Sequence, residues 1–217
     1  MAAHLGAHET MEVHEILCSA IAGINTMQLY RPHVKDQRLA QIMDKQMQFT
    51  INEYNQMVQS VQHLSGQGMA QGTPYRAPSN FQPVYGLDNP AASTPNMSAN
   101  QIDDRDVSSA LLAFHKSSAM MKIIAALECA NPQIRSMMQQ GAVNCSEQAY
   151  EIWQYMNQAG YYQVPTMKEM TTNTVLNHYE PASGMGMPNM TNMANMVTPQ
   201  SNLYQPNTNT VRPTLPQ

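Results

Sequence analysis

The sequence predicts an all-α fold, a four-helix bundle made of two helical hairpins, and three observations lead to this prediction. Apolar residues recur at alternating spacings of three and four in four segments, which is the period of an amphipathic helix. Prolines cluster between Pro74 and Pro95 and again from Pro165 onward, so helices are confined to about 8–65 and 103–160. Helices of this kind cannot bury their apolar faces singly, and packing against one another buries them.

The first hairpin is predicted to occupy residues 1–65. Its first helix covers about 9–31 and ends before Pro32, because the residue that precedes a proline avoids the α-helical region. Its second helix covers about 36–64 and is followed by Gly66, a suitable residue to end a helix. The two apolar stripes consist of Val13, Leu17, Ala20, Ile24 and Met27, and of Leu39, Met43, Met47, Thr50, Tyr54, Met57, Val61 and Leu64.

The second hairpin is predicted to occupy residues 103–164. Asp103 is the N-cap of its first helix. Two further aspartates lie in the first turn, where a negative charge interacts favourably with the positive end of the helix dipole. Asn131 and Pro132 are the N-cap and first residue of its second helix, and Gly160 ends that helix. The stripes consist of Val107, Leu111, Phe114, Ser118, Met121, Ala125 and Glu128, and of Ile134, Met138, Gly141, Cys145, Gln148, Ile152, Tyr155 and Ala159.

The connection between the hairpins is a Pro-rich linker at residues 66–102. At roughly 3.3 Å per extended residue it can return along the whole of a helix about 43 Å long. That return would give a ferritin-like four-helix bundle with one long crossover, although an up-down-up-down arrangement also fits. The linker carries two charged residues and the low-complexity tail at 165–217 carries four, and both stretches are expected to be flexible or disordered.

Composition excludes several classes of protein. Only 12% of the residues are charged and the net charge is −4, whereas a nucleic-acid-binding protein would show a basic face. No secretory signal and no apolar run approaching the roughly 20 residues of a membrane span are evident, so synthesis in the cytoplasm and no membrane span are expected. Cys18, Cys129 and Cys145 form no Cys-x-x-Cys pair, which predicts neither a disulfide framework nor a zinc site.

Ferritin-like bundles often hold two metal ions, and that site has a specific requirement. It needs one glutamate from each of two helices and a Glu-x-x-His pair from each of the other two. No Glu-x-x-His occurs anywhere in this sequence. We therefore predict no metal site, no catalytic residue and no cofactor. The helical glutamates that were candidates are Glu15, Glu53, Glu128, Glu147 and Glu151.

Three further groups of residues are weaker candidates. His8, Glu12 and Glu15 share one helix face and could hold a surface metal ion, but the helix dipole alone explains acidic residues in a first turn. His115 lies near the apolar stripe of its helix and has no predictable partner. Spaced thioethers in the tail could bind copper(I), although biased composition is the simpler explanation. These tail residues are Met185, Met187, Met190, Met193 and Met196.

Four motifs in the second hairpin carry a family resemblance. They are DDRD at 103–106, AALECANP at 125–132, YEIWQYM at 150–156 and GYY at 160–162. On these motifs the chain resembles the Coat F family, whose members are spore coat proteins of endospore-forming bacteria. The first hairpin, with YRP at 30–32, is similar to the N-terminal half of many members.

The resemblance implies a non-catalytic structural component of the spore coat with a ferritin-like bundle. Its expected partners are other spore coat proteins, and a homo-oligomer is also compatible with the resemblance. The alternative is a ferritin-like metal-binding or redox protein with an atypical ligand set. As a hypothesis, tyrosines outside the helices are points of oxidative or acyl-transfer cross-linking, and ordinary surface tyrosines are an equally good interpretation. These residues are Tyr75, Tyr85, Tyr161, Tyr162, Tyr179 and Tyr204.

Overall fold

The computed structural model describes residues 5–62, 72–88 and 92–181. Within those residues it contains five α-helices and two 3-10 turns, and the only β pairing is an isolated bridge of Tyr85 and Gly86 with Val164. The predicted all-α class is therefore confirmed. The helices are α1 (Ala7–Tyr30), α2 (Gln37–Gln62), α3 (Asp104–Glu128), α4 (Pro132–Gln158) and α5 (Glu169–Leu176).

The ends of the helices follow the local chemistry that the sequence predicts. The Asp103 side chain accepts hydrogen bonds from the first-turn N–H groups of α3, and the Asn131 side chain does the same for α4, whose first residue is Pro132. Gly160 follows α4 with φ +74°, a left-handed conformation that favours glycine. Gly66, the predicted end of the second helix, lies outside the described residues.

Contacts at the helix ends establish the direction of each helix. The Asp104 carboxylate accepts a 2.8 Å hydrogen bond from the Lys35 N–H, so α2 and α3 begin at the same end of the molecule. At the opposite end, the His8 Nδ1 at the start of α1 lies 3.1 Å from the Glu128 Oε2 at the end of α3. It follows that α2 and α3 run in one direction and α1 and α4 in the other, so the segment between α2 and α3 must return along the length of the helices.

All four long helices contribute to each of two apolar clusters. We call the cluster near the start of α2 the upper cluster; it consists of Met27, Leu39, Met43, Val107, Leu111, Leu112, Ala149, Ile152, Tyr155 and Met156. The lower cluster consists of Val13, Ile16, Met57, Ala125, Ala126, Cys129, Ile134 and Met138. Most of these residues belong to the predicted apolar stripes, because a helical period of 3.6 brings them to one face.

The expectation of a flexible linker is wrong for residues 72–88, which we call the strap. The strap lies along α4, and its backbone N–H groups donate to side chains of that helix: Tyr75 to Asn144 at 2.9 Å, and Val84 to Asn157 at 2.7 Å. The low hydrophobicity of the strap does not prevent this packing, because α4 supplies hydrogen-bond partners for its backbone. Prolines in the strap also restrict the unfolded chain, so less conformational entropy is lost when the strap becomes ordered.

The expectation of a disordered tail after residue 165 is wrong for Glu169–Leu176, which form α5. The chain has no proline between Pro165 and Pro181, which leaves room for two helical turns, and Glu169 lies favourably in the first turn. This helix lies in a second compact unit of the chain that begins at Lys168. Residues 182–217, including the five spaced methionines, lie outside the described part of the chain.

Helix α3 is more apolar than the other described helices. It alone among them has the length and hydropathy that a membrane span requires, with 39% of the relevant window buried. The buried residues of α3 contribute to both apolar clusters, as expected of a core helix. The high hydropathy arises because its exposed side also carries large apolar residues, namely Met120, Ile123, Ile124 and Leu127. The absence of a membrane span remains a prediction.

Close approach of α1 and α3 depends on Gly23. A methyl group on Gly23 would lie 2.0 Å from the Cζ atom of Phe114, well inside van der Waals contact. We expect Gly23→Ala to lower the free energy of unfolding by about 1–3 kcal/mol, because overpacking outweighs the better helix propensity of alanine. Urea denaturation measures the change, and the cost should be smaller in a Phe114→Leu background. A variant as stable as the wild type would contradict this account.

Candidate functional site

A buried polar layer separates the upper and lower apolar clusters at the middle of the helices. Burying polar groups is unfavourable unless each finds a hydrogen-bond partner or an opposite charge, so the layer must be held by specific contacts. Its residues come from the facing sides of α2, α3 and α4. They are Gln46, Thr50 and Glu53, then His115, Ser118 and Lys122, and then Asn144, Cys145, Gln148 and Glu151.

The Lys122 ammonium is the buried positive charge of the layer. Its Nζ donates to the Glu53 carboxylate at 2.7 Å and contacts the Cys145 sulfur at 3.4 Å. Burial lowers the pKa of the Lys122 ammonium, whereas the negative charge of Glu53 and its hydrogen bond raise it. Burial raises the pKa of the Cys145 thiol, so the sulfur is protonated at neutral pH and Glu53 is the charge partner. The layer therefore contains a buried ion pair.

Two neighbours of this ion pair make its geometry feasible. The Asn144 amide donates a 2.7 Å hydrogen bond to the second oxygen of Glu53, which satisfies both ends of the carboxylate. Gly141 on α4 faces the stem of Lys122, and a methyl group there would lie 2.9 Å from Cδ of the lysine. The lysine side chain therefore extends across α4 at a position where that helix has no side chain.

His115 is fully buried beside the ion pair and is uncharged. Its Nε2 lies 2.8 Å from the Gln46 Oε1, while the Gln46 amide nitrogen donates to the Glu151 carboxylate at 3.0 Å. Because the Gln46 oxygen is an acceptor, the histidine carries its proton on Nε2. Burial lowers the pKa of His115 to about 3, and the positive charge of Lys122 acts in the same direction.

Glu151 joins the polar layer to the strap. Besides the Gln46 amide, it accepts hydrogen bonds from Lys45, at 2.5 Å, and from the hydroxyl of Tyr75. Tyr75 is 5% exposed, and burial together with the Glu151 carboxylate raises the pKa of its phenol. The expectation of an accessible phenol for cross-linking is therefore wrong for Tyr75, because its side chain is buried and its hydroxyl donates to Glu151.

The other tyrosines of that hypothesis lie in different environments. Tyr85 and Tyr179 are 66% and 75% exposed, and Tyr162 is 38% exposed beside Trp153 and Lys116. Tyr161 is half-buried, packs on Tyr155 and is less accessible. Tyr204 lies outside the described residues. Cross-linking through the exposed phenols stays a prediction.

Two buried nitrogen atoms of the layer border a small cavity. His115 Nδ1 and Gln148 Nε2 have no hydrogen-bond partner among the described residues, and both side chains line a cavity of about 30 Å³. A water molecule needs roughly 10–15 Å³ of such volume and could accept from Gln148 and donate to His115. Sites for small organic ligands are about ten times larger, so the interior suits a water-sized molecule rather than a substrate.

The helical glutamates are not brought together into one cluster. Glu53 and Glu151 lie in the polar layer, Glu147 accepts from the Ala77 N–H of the strap at 2.9 Å, and Glu128 pairs with His8 on the surface. Glu15 is exposed. Across residues 5–62, 72–88 and 92–181, no three or more His, Cys, Asp or Glu side chains are arranged to hold a metal ion. That the protein binds no metal remains a prediction.

The buried carboxylate at Glu53 is expected to be critical for stability. Glu53→Gln leaves the Lys122 ammonium buried without a countercharge and should lower the free energy of unfolding by about 3 kcal/mol. The double variant Glu53→Gln/Lys122→Met removes both charges and should be more stable than Glu53→Gln alone. As a control, Asp44→Asn breaks the exposed Arg31–Asp44 pair and should cost below about 1 kcal/mol. Urea denaturation would contradict the proposal if Glu53→Gln and Asp44→Asn cost the same.

His115 is expected to make stability depend on pH. The folded pKa of about 3 lies below the ordinary value of 6.5, so between these values the unfolded chain binds a proton that the folded chain does not. The stability contributed by neutral His115 is therefore full above pH 6.5 and is lost as pH falls toward 3. His115→Gln should reduce proton uptake on unfolding by about one between pH 4 and 6.

The measurement is the slope of the free energy of unfolding against pH. A suitable control is Leu39→Ala in the upper cluster, which removes buried apolar volume away from the cavity beside His115 and should lower stability by about 2–5 kcal/mol at every pH without changing the slope. Identical slopes for the wild type and His115→Gln would show that His115 is not kept neutral in the fold.

Comparison with known proteins agrees with the resemblance seen in the sequence. The family model described as the Coat F domain matches residues 103–165, which contain α3, α4 and the turn at Gly160. The spore coat protein F-like protein YhcQ of Bacillus subtilis (strain 168) is 32% identical over 183 residues, covering 84% of each chain.

A crystal structure with a similar fold is that of a protein from Bacillus halodurans C-125 described as a spore coat protein. It has a TM-score of 0.56 and 15% identity, and the match covers 76% of this chain and 96% of that one. At this identity the likeness concerns the fold alone. The chain belongs to the Coat F family, because the family model matches its second hairpin and YhcQ is similar to it across most of both sequences.

Proposed function

We propose that this protein is a non-catalytic structural component of the spore coat that acts in coat assembly with other spore coat proteins. The observation that carries the proposal is the 32% identity, over 84% of this chain, with a relative named as a spore coat protein F-like protein. The protein would be made in the cytoplasm and deposited in the coat. Its low charge and net charge of −4 favour protein partners over nucleic acid.

The chemistry of the interior supports a structural role. The groups with catalytic potential in the polar layer contact one another: Lys122 with Glu53 and Cys145, and Glu151 with Tyr75. A reactive group needs space for a substrate beside it, whereas the cavity next to His115 is about 30 Å³. These contacts hold α2, α3, α4 and the strap together, as the rigid unit of a larger assembly requires.

We further propose that the four long helices form a ferritin-like bundle. The shared direction of α2 and α3, together with a strap that runs back along α4, agrees with one long crossover and argues against up-down-up-down connectivity. In this bundle, the Lys122 ammonium supplies a positive charge beside Glu53 within the core, and ferritin-like bundles that bind metal ions hold them in the core. A fixed internal cation supports the metal-free form of the fold.

The test is where and when the protein occurs in the spore-forming organism that encodes it. We expect immunoblots to detect it late in sporulation and in coat extracts of mature spores, and not in growing cells. Detection mainly in growing cells, with none in spores, would contradict the coat role. The purified native protein should also be analysed for metal content, since stoichiometric iron or manganese would favour the metal-binding alternative.

A further inference from the structure

A lysine and a cysteine meet in the interior of the polar layer. The Lys122 Nζ on α3 lies 3.4 Å from the Cys145 Sγ on α4, and both side chains are buried. The ion pair with Glu53 accounts for the buried lysine, whereas the sulfur beside it has no part in that pair. An amine and a thiol at this separation can form a covalent bond once the sulfur is oxidised, because a sulfenic acid condenses with nitrogen.

The small cavity beside His115 is lined by these same two side chains. Its volume of about 30 Å³ is roughly twice what a water molecule needs, which leaves room for two bonded oxygen atoms. Of its two buried nitrogen atoms without a partner in the described part of the chain, Gln148 Nε2 is a donor and His115 Nδ1 is an acceptor. Hydrogen peroxide both accepts and donates hydrogen bonds, so it matches the cavity in size and in polarity.

A small molecule can enter this cavity between α1 and α2. The half-buried side chains of Ser19 on α1 and Tyr54 on α2 also line it, so it extends from the polar layer toward solvent. Its volume excludes anything as large as another protein thiol. The buried sulfur of Cys145 is therefore accessible to a small peroxide but not to a disulfide partner on another molecule.

We propose that Lys122 and Cys145 form an oxidative modification site, at which hydrogen peroxide joins the lysine nitrogen to the cysteine sulfur in a sulfenamide bond between α3 and α4. In the first step the sulfur attacks one peroxide oxygen, an S–O bond forms and the O–O bond breaks. The thiol proton leaves with the second oxygen as water, and Cys145 becomes a sulfenic acid. This step is slow compared with oxidation of the exposed Cys18, because the reacting thiol is buried and protonated.

The second step uses the hydrogen bond between Lys122 and Glu53. The ammonium gives one proton to the Glu53 carboxylate over 2.7 Å, and the neutral Nζ then attacks the sulfur of Cys145. An N–S bond forms, the S–O bond breaks, and the hydroxide leaves with a second nitrogen proton as water. One peroxide is reduced to two waters, while sulfur and nitrogen together lose two hydrogen atoms. The positive and negative charges disappear together, so no unpaired charge remains in the layer.

Peptide mapping of the reduced full-length chain after treatment with hydrogen peroxide tests the proposal. Remaining thiols are blocked with iodoacetamide, and tryptic digests with and without dithiothreitol are compared by mass spectrometry. We expect the peptides that contain Lys122 and Cys145 to be joined, two hydrogen atoms lighter than their sum, with no cleavage after Lys122. Dithiothreitol should separate them. A disulfide from Cys129 would leave cleavage after Lys122 intact, so the two products are distinguished.

The second buried cysteine supplies a matched control. Cys145→Ser should abolish the joined peptide, whereas Cys129→Ser should leave its yield unchanged, since the charged neighbours of Cys129 are glutamates and Arg135 rather than a lysine. Treatment of the wild type in concentrated urea should lower the yield at least about tenfold, because the fold no longer holds the two groups together. The urea comparison needs no substitution, so it decides the question even if a variant does not fold.

Three outcomes would overturn the proposal. They are a Cys145 thiol that stays reduced while Cys18 is fully oxidised, a Cys145 sulfinic acid with normal cleavage after Lys122, and a joined peptide that forms equally well in urea. None of them bears on where and when the protein occurs, so failure of the sulfenamide bond and failure of the coat role can be distinguished.

Discussion

The pairing of Lys122 with Glu53 is the constraint on which the middle of the molecule depends. An unpaired ammonium cannot remain charged among the apolar clusters above and below it, so a carboxylate must face it from another helix at hydrogen-bond distance. That requirement fixes the rotation of α2 relative to α3, and it demands the missing side chain at Gly141. The apolar clusters alone would tolerate small shifts of one helix along another, whereas a buried ion pair does not.

The same polar layer determines the path of the chain between the two hairpins. Asn144 donates to Glu53 through its amide nitrogen and accepts from the Tyr75 N–H through its oxygen. Glu151 accepts from Gln46 on α2 and from the hydroxyl of Tyr75. The strap is therefore held by residues that also hold the helices, since Glu53 and Gln46 are each two hydrogen bonds away from Tyr75.

Much of the helical framework could be predicted from the sequence, because its determinants are local. Proline positions, the caps at Asp103 and Asn131 and the left-handed Gly160 act within a few residues, and the apolar period identified residues such as Leu39 and Ile152 as buried. The polar layer was harder to predict, since its partners are distant in sequence. Charged residues are normally assigned to the surface, which is why the buried position of Lys122 was missed.

A signal for the layer was nevertheless present in the sequence. Gln46, Thr50 and Glu53 recur at helical spacing on the face of the apolar stripe, as do His115, Ser118 and Lys122. Two polar series of this kind on core faces indicate that they meet, but not which atoms pair. Tyr75 carried no such signal, because nothing around it distinguishes a buried tyrosine from an exposed one and its partner Glu151 is 76 residues away.

The attachment of the strap to α4 also bears on how hairpins are shared between molecules. In domain swapping, one copy would lend its second hairpin to another, and the connection between the hairpins would be the hinge. Here the connection is fastened to the hairpin that follows it, at Asn144, Glu147 and Asn157. Exchange of a hairpin would require these hydrogen bonds to break and the buried Tyr75 side chain to become exposed. The resulting barrier slows exchange, so each chain keeps its own two hairpins together.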